Sequence, residues 1–415
     1  MATATGPTIS QSRFHHVKEE YGHNSITKAV ARGQITLHDA ALITEYATER
    51  HVSNNLSQSR TNKLIYALVT WRRFIGPFAE NTMPDLYAGI TALRSGTTSR
   101  GLLFTENGLH DQILFLKQFY LWLHENDYVV LPEKKLRKLR APTPNPVTKS
   151  AADLITPDEI TAMVRACRSS RDRALIMTLY EGGLRIGEIG TLTWRQLTFD
   201  RNGVVASVLY KTKQVRYIRL VIARDYLAQW RADYPFDPDG DALVFLNRQN
   251  RPLRYNTVAG HLKEIALRAG VERHITPHIF RHARVTHLIR SGLSESVVKL
   301  QIWGTHRTKQ FDTYCHLTGR DIDKEILHYY GIEPDEEVDA TGLTPVTCPH
   351  CHYLNAPVAN HCRACGRSLT AEGTDEQEAI RQFIHQHPEG LEAFFAEQVR
   401  RAVASQLGET NGGQE

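Results

Sequence analysis

The chain has 415 residues, of which 41% are hydrophobic and 23% charged, a balance typical of soluble globular proteins with more than one domain. No apolar run approaches the length of a membrane-spanning helix, and the N-terminus lacks the apolar core of a secretory signal, so we expect a cytoplasmic protein. The net charge of +5 favours anionic partners only weakly, because 50 basic residues stand against 45 acidic ones.

The first 140 residues predict an all-helical domain. Apolar residues recur there at intervals of three and four, the spacing that places side chains on one face of a helix. One such stripe consists of Leu64, Leu68, Trp71 and Ile75, and a second of Ile113, Leu116, Phe119, Tyr120 and Leu123. Taken alone, the stripes indicate a packed core and no ligand.

A basic stretch followed by prolines, "EKKLRKLRAPTPNPVTKS", comes next. Five basic residues precede the prolines: Lys134, Lys135, Arg137, Lys138 and Arg140. The three prolines that follow them disfavour a helix. We therefore predict an exposed basic linker here, with residues 141–152 as the boundary between two domains.

The second domain is predicted over residues 153–332 as mainly α-helical with a small β-sheet, an α+β fold. The sequence "TPDE" contains the two residues of a helix N-terminal capping box, Thr156 and Glu159. The stretch "VVASVLYKTKQVRYIRLVI" is rich in β-branched residues and predicts a hairpin that turns at "KTKQ". Helical patterns resume at Asn256 and at Ala283.

Four cysteines near the C-terminal end form the motif "CPHCHYLNAPVANHCRAC". It contains two C-x-x-C knuckles, one made by Cys348 and Cys351 and the other by Cys362 and Cys365. Four thiolates match the tetrahedral preference of zinc, so we predict a structural zinc ribbon over residues 345–370. Disulfides are disfavoured in the cytoplasm. The neighbouring histidines, which leave a mixed ligand set open, are His350, His352 and His361.

Residue types that act on phosphates follow in order through the second domain. The segments are "YEGGLRIGEIGTLTW" with Arg185, "YKTKQVR" with Lys211, "TPHIFRHARVTH" with His278 and Arg281, and "WGTHRTKQFDTYCHL" with Tyr314. Each motif alone is common, but the ordered series resembles the tyrosine recombinase and phage integrase family. The resemblance covers roughly residues 153–330, and more loosely the N-terminal helices, which are similar to the family's core-binding domain. The last segment, followed by a cysteine ribbon, is similar to integrase-like recombinases of archaea.

The resemblance implies a reaction in which a tyrosine breaks a DNA phosphodiester without a catalytic cofactor. Arg185 and Arg281 neutralise the charge that develops on the phosphate oxygens. Tyr314 is the nucleophile and forms a covalent 3′-phosphotyrosine link. Lys211 protonates the departing 5′ oxygen, and His278 donates to the phosphate or helps to accept the proton of the tyrosine.

Two of these positions stay open. The family pattern places a His or Trp directly after a glycine, but here Gly304 is followed by Thr305 and then by His306. We assign the hydrogen-bond donor to His306, with Trp303 and Thr305 as alternatives. A second lysine, Lys213, competes for the role of general acid.

Other polar residues near these motifs are expected to have supporting roles. Glu188 lies three residues after the first arginine and is expected to orient the arginine or histidine side chains. The histidines that we expect to be packing or surface residues are His282, His287 and His316. Cys167 and Cys315 are expected to pack in the interior.

The expected partner is double-stranded DNA, with a homotetramer on two duplexes during recombination and a monomer in free solution. A catalytically silent architectural DNA-binding protein, and a nicking-closing topoisomerase of type IB, are the alternative functions. Residues 375–408 predict further helices. Their apolar face, which covers either the chain's own ribbon or a neighbouring protomer, consists of Leu391, Phe394, Phe395, Val399, Ala402 and Val403.

Overall fold

The computed structural model describes residues 14, 17–145, 153–209, 215–311, 314 and 343–386, and these divide into two compact units. The first unit contains the described residues up to 145, and the second contains those from 153 onward. The motifs predicted to be catalytic and the cysteine motif of the sequence fall in the second unit.

The described part of the first unit is helical. Its helices are α1 (Glu20–Ala31), α2 (Leu37–Ser53), α3 (Gln58–Trp71), α4 (Met83–Ser95), α5 (Glu106–Glu125) and α6 (Glu133–Lys138). Both predicted apolar stripes are confirmed, because all of their side chains are buried in one core. Trp71 anchors this core by donating its indole N–H to the backbone carbonyl of Gln112, at 2.9 Å.

The basic run after residue 132 is a helix and not a linker. Helix α6 places Leu136 at the core with no exposed surface, while its lysines stay on the outside. Residues 133–138 thus belong with the helices of the first unit and not with an exposed linker, because Leu136 anchors them to the core. Residues 146–152 of the predicted linker lie outside the described residues.

The second unit begins with helices that enclose a small sheet. Its elements up to residue 303 are α7 (Pro157–Arg165), α8 (Ser170–Glu181), α9 (Ile186–Gly190), β1 (Leu197–Asp200), β2 (Gly203–Leu209), β3 (Val215–Leu220), α10 (Ala223–Ala232), α11 (Tyr255–Arg268), α12 (Pro277–Arg290) and α13 (Glu295–Trp303). The predicted capping box of α7 is confirmed: the Thr156 hydroxyl accepts the Glu159 N–H, and the Glu159 carboxylate accepts the Thr156 N–H.

The three strands form an antiparallel sheet in the order β1-β2-β3, and β2 and β3 are the predicted hairpin. Its turn lies outside the described residues. Alternate side chains of β3 face inward, which buries Arg216, Ile218 and Leu220. The strand thereby carries a guanidinium into the interior of the unit.

A buried carboxylate joins helix α8 to the chain between β3 and α10. Glu181 accepts backbone N–H groups from Val221, Ile222 and Ala223 at 2.7 to 2.9 Å. These bonds satisfy N–H groups at the start of α10, where the helix itself offers no acceptor. The end of α8, where the first catalytic motif begins, is therefore fixed to the sheet.

The C-terminal module contains two short strands, β4 (Val346–Thr347) and β5 (Leu354–Asn355), and helix α14 (Ala371–Gln386). The predicted apolar face from residue 391 onward lies outside the described residues. Within the described ranges, none of the helices combines the length and apolarity needed to cross a bilayer.

Candidate active site

The first catalytic motif forms a tight turn between α8 and α9. Gly183 in this turn has φ +53°, and a Cβ there would meet the Ile302 side chain at 2.6 Å, so a residue without a side chain is required. Arg185 follows at the start of α9. Its backbone N–H donates to one oxygen of Glu188 at 2.7 Å, and its guanidinium donates to the other at 3.0 Å.

The same carboxylate holds a second guanidinium. Arg216 from strand β3 donates to Glu188 Oε2 at 2.6 Å, and both side chains are almost completely buried. Arg216 also donates to the backbone carbonyls of Gln301 and Ile302 at the end of α13. Burial lowers the pKa of Arg216 to about 10, a shift that the carboxylate of Glu188 opposes.

Arg281 is the third guanidinium of this cluster, and it comes from the second turn of α12. It is buried, and it donates to the backbone carbonyls of Gly183 and Ile302, the latter at 2.8 Å. Burial, together with the positive charges of Arg185 and Arg216, lowers the pKa of Arg281 to about 9. The guanidinium nevertheless stays charged at neutral pH.

Two guanidiniums therefore pair with one carboxylate and a third, that of Arg281, lies within reach of its charge, which leaves positive charge uncompensated within this group. Arg185 is the most accessible of the three, with 25% of its side chain exposed, against 3% for Arg216. Positive charge that is held in place by protein carbonyls and partly open to solvent is suited to bind an anion such as a phosphate. We name these residues, Arg185, Arg216, Arg281 and Glu188, the arginine cluster.

Trp303 connects the arginine cluster to the tyrosine of the last motif. The Arg281 guanidinium lies 5.5 Å from the centre of the Trp303 ring, and the Tyr314 ring centre lies 6.1 Å from the same ring. The Tyr314 side chain is half-buried, and burial raises the pKa of its hydroxyl, while the charge of Arg281 opposes that shift.

The Tyr314 hydroxyl lies 2.5 Å from Nδ1 of His282, and their ring centres are 5.4 Å apart. His278 lies one turn earlier on α12, exposed, with its ring centre 5.3 Å from that of His282. His306 is exposed and lines an open cleft of about 570 Å³ together with Thr305. The structure therefore gathers Arg185, Arg281 and Tyr314, with His278 beside them and His306 facing solvent.

Lys211 and Lys213 lie outside the described residues, so the general acid stays a prediction.

Two residues at this site, His282 and Arg216, were not assigned to it from the sequence. His282 was expected to be a packing or surface residue, yet it contacts the Tyr314 hydroxyl. Its spacing of four residues from His278, which places both on one face of α12, was the available signal. Arg216 was given no role from the sequence, although its burial follows from strand alternation.

The four cysteines of the C-terminal module converge. Their sulfurs lie within 4.8 Å of one another, with Cys348 and Cys365 3.7 Å apart and Cys351 and Cys362 3.4 Å apart. A tetrahedral zinc ion with Zn–S bonds of about 2.3 Å requires sulfurs about 3.8 Å apart, so the cluster fits this metal. Of the neighbouring histidines, His361 instead contacts the Gly373 carbonyl at 2.9 Å.

The cysteine module packs against helix α10 of the same unit. The Tyr353 hydroxyl accepts from the Arg224 guanidinium at 2.6 Å, and that guanidinium lies 5.5 Å from the centre of the Tyr353 ring. Arg363 forms an ion pair with Asp225 at 3.0 Å. The module is thus attached to the catalytic unit by side chains as well as by the chain.

The second unit contains a region that is similar to known proteins. Residues 153–319 match the model of the phage integrase family. Transposase A from transposon Tn554 of Staphylococcus aureus is 29% identical over 214 residues, which are 48% of this chain and 56% of the transposase. Tyrosine recombinase XerC of Xylella fastidiosa is 26% identical over 263 residues, which are 60% of this chain and 84% of XerC. The chain thus spans little more than half the length of the first of these relatives.

Solved structures agree on the fold. Lambda integrase bound to DNA aligns with a TM-score of 0.52 and 14% identity, over 68% of this chain and 98% of that chain. The Tn1549 transposon integrase in complex with circular intermediate DNA aligns with a TM-score of 0.50 and 15% identity, over 69% of this chain and 98% of that chain. The predicted class, mainly α-helical with a small sheet, is confirmed.

Proposed function

Residues 153–319 are a tyrosine recombinase domain of the phage integrase family, and on that premise we propose that this chain is a site-specific DNA recombinase. The observation that carries the proposal is the position of Tyr314 beside the arginine cluster, with Trp303 in contact distance of both. A phosphate that reaches Arg185 therefore lies near a hydroxyl able to attack it. Fixed guanidiniums next to a nucleophile are what a phosphoryl transfer requires.

In the proposed reaction, Tyr314 Oη attacks the phosphorus of a DNA phosphodiester and the bond to the 5′ oxygen breaks. Arg185 and Arg281 stabilise the negative charge on the non-bridging oxygens. Lys211 gives its proton to the 5′ oxygen, and His278 donates to the phosphate or helps to accept the proton of the tyrosine. The 3′-phosphotyrosine link keeps the energy of the broken bond, so a 5′ hydroxyl of another strand can reverse the step without ATP.

The donor predicted at His306 belongs to the same proposal. Its exposed position at the open cleft leaves it accessible to a DNA backbone, while Trp303 is enclosed against Arg281 and Tyr314. We assign phosphate contact to His306 and a packing role to Trp303. Loss of the imidazole in His306→Ala should therefore weaken cleavage, whereas Trp303→Phe should mainly loosen the position of Tyr314.

The partner in this proposal is double-stranded DNA, which the recombinases of the two aligned structures are described as binding. Exchange between two duplexes requires four tyrosines, hence four copies of this chain. The cysteine cluster holds a structural zinc ion, for which the sulfur spacing is suited. This metal has no part in the reaction at Tyr314.

The proposal is tested by covalent capture on DNA. Duplexes with a random central sequence and a nick beside it release the cut strand, which traps the protein–DNA ester; trapped DNA is then sequenced. We expect an adduct with the unchanged chain and none with Tyr314→Phe at equal DNA binding. Tyr180→Phe, which removes another hydroxyl that contacts a histidine of α12, is the matched control and should still form the adduct.

The other outcomes identify other functions. An adduct with Tyr314→Phe removes Tyr314 as the nucleophile. DNA binding without any adduct from the unchanged chain supports the architectural protein. Relaxation of supercoiled plasmid by a monomer, with no exchange between two captured sites, supports the topoisomerase.

A further inference from the structure

Helix α12 makes the same kind of contact with two different tyrosines. Nδ1 of His282 lies 2.5 Å from the Tyr314 hydroxyl, and Nδ1 of His287 lies 2.8 Å from the Tyr180 hydroxyl. The second pair is enclosed in the core, where both side chains are buried. The first pair is half-buried at the candidate active site. One helix thus offers an imidazole to the proposed nucleophile and provides an internal control for that contact.

A phenol that attacks phosphorus must lose its proton. Burial raises the pKa of Tyr314, so at neutral pH its hydroxyl is protonated and needs a base. A base must lie within hydrogen-bond reach of the proton that it accepts, and Nδ1 of His282 lies at this distance. His278, the residue expected from the family pattern, lies beyond His282, with ring centres 5.3 Å apart.

We propose that His282 is a further catalytic residue, the base that accepts the Tyr314 proton during cleavage and returns it during rejoining. This inference rests on the proposed recombinase function. In cleavage, the bond between Tyr314 Oη and phosphorus forms while the bond to the 5′ oxygen breaks. The phenol proton passes to Nδ1 of His282, and the 5′ oxygen takes its proton from the general acid, proposed as Lys211.

Rejoining runs the same exchange backward. The 5′ hydroxyl of the incoming strand attacks phosphorus and gives its proton to Lys211, and the imidazolium of His282 protonates the leaving Tyr314 oxygen. Charge and protons balance in both directions, with no co-reactant. With His282 in this role, His278 is left to donate to the phosphate, so the two imidazoles on one face of α12 have separate tasks.

The experiment follows the rate of adduct formation in a single turnover, from about pH 5 to 9, on the captured nicked duplexes. With the unchanged chain, the rate should rise with pH as an imidazole loses its proton, and then level off. His282→Ala should be slower by about 10²- to 10⁴-fold, the usual contribution of a positioned base.

His282→Asn separates proton acceptance from positioning. An asparagine amide reaches the position of Nδ1 and can keep the hydrogen bond to Tyr314, but it cannot take the proton. We expect this variant to be as slow as His282→Ala. We also expect it to lose the acidic limb of the pH–rate profile, the pH range in which the rate of the unchanged chain rises. Recovery of the full rate in His282→Asn would show a positioning role only and would overturn the proposal.

Control variants on the same helix show which histidine is responsible for the acidic limb. His287→Asn should keep both the rate and the limb, although it should lower the stability. His278→Asn should lower the rate but keep the limb. In the described part of the chain, Arg281 on α12 is the cation whose charge acts on Tyr314. The pKa of Arg281, lowered to about 9, lies at the alkaline end of this range, so its titration does not mimic a histidine limb.

A second measurement leaves His282 unchanged, in case its variants do not fold. Incorporation of 3-fluorotyrosine at position 314 makes the phenol more acidic. If His282 is the base, the limb stays at the same pH; if the limb reports ionisation of the phenol itself, it moves to lower pH and the proposal fails. Absence of an adduct from the unchanged chain would instead contradict the recombinase function, so the two failures are distinguishable.

Discussion

The second unit gathers like chemical groups in two places, and it holds them there by opposite means. The guanidiniums of the arginine cluster are fixed by Glu188 and by the carbonyls of Gly183 and Ile302. The four cysteine sulfurs instead face one another at 3.4 to 4.8 Å, a spacing suited to four thiolates that share one metal ion. The first cluster is positioned by protein atoms alone, whereas the second is suited to a cation at its centre. The catalytic geometry should therefore be independent of the metal.

Of the tests that separate the two clusters, metal removal should have the largest effect. A strong chelator should extract about one zinc ion per chain, measured by native mass spectrometry. Because zinc supplies most of the folding free energy of so small a module, on the order of 10 kcal/mol, amide exchange over residues 343–370 should become fast. Amide exchange in α12 and the single-turnover rate of adduct formation should stay unchanged. Loss of the adduct on chelation would mean that the two clusters depend on each other.

Within the arginine cluster, removal of one guanidinium should be the largest change to the reaction itself. Arg281→Ala should slow adduct formation by about 10²- to 10³-fold, as loss of one donor to a developing oxyanion does. Arg284→Ala removes a guanidinium from the same helix that donates to the Glu181 carbonyl, and it should stay within a few-fold of the normal rate. Equal losses of rate in Arg281→Ala and Arg284→Ala would show that the phosphate binds away from Arg281.

Neutralising the carboxylate at the centre of the arginine cluster should affect stability more than chemistry. Glu188→Gln leaves Arg216 buried without its counter-charge, which costs about 3–5 kcal/mol when a buried ion pair is broken. We expect a lower Tm, measured by calorimetry, and a larger gain in Tm from added inorganic phosphate than in the unchanged chain. Glu159→Gln, at the half-exposed pair with Arg273, is the control and should change little.

The smallest expected effect concerns the attachment of the cysteine module. Tyr353→Phe removes the hydrogen bond from Arg224 and should cost about 0.5–1.5 kcal/mol, seen as faster amide exchange in the module with the rate of cleavage unchanged. Tyr217→Phe removes a similar bond from Arg219 on the exposed side of β3 and serves as the control. An equal increase of amide exchange in the module for both variants would show that the contact with α10 does not anchor the module.

Features set by neighbouring residues were predictable from the sequence. The capping box at Thr156, the strand alternation around the hairpin and the two cysteine knuckles each depend on a few consecutive positions. The short helix over residues 133–138 was missed, since Leu136 is stabilised by packing against residues far away in the chain.

The site was predictable only in part, for the same reason. The arginines and Tyr314 were identified from an ordered series of motifs. The contact of His282 with Tyr314 joins residues 32 positions apart, and the ion pair of Arg216 with Glu188 joins residues 28 positions apart. No local spacing specifies such contacts; they follow from how α12, α13 and the sheet pack around one another.

The end of helix α13 has a mechanical consequence. Arg216 and Arg281 both donate to the carbonyl of Ile302, and the chain turns directly afterwards at Gly304, with φ +72°, toward Tyr314. A pull on the segment that carries the tyrosine is thus transmitted to a single joint at which both guanidiniums are fastened. A shift of this helix end would therefore loosen both guanidiniums at once, while the bonds of Arg216 to Glu188 and of Arg281 to the Gly183 carbonyl limit how far each can move.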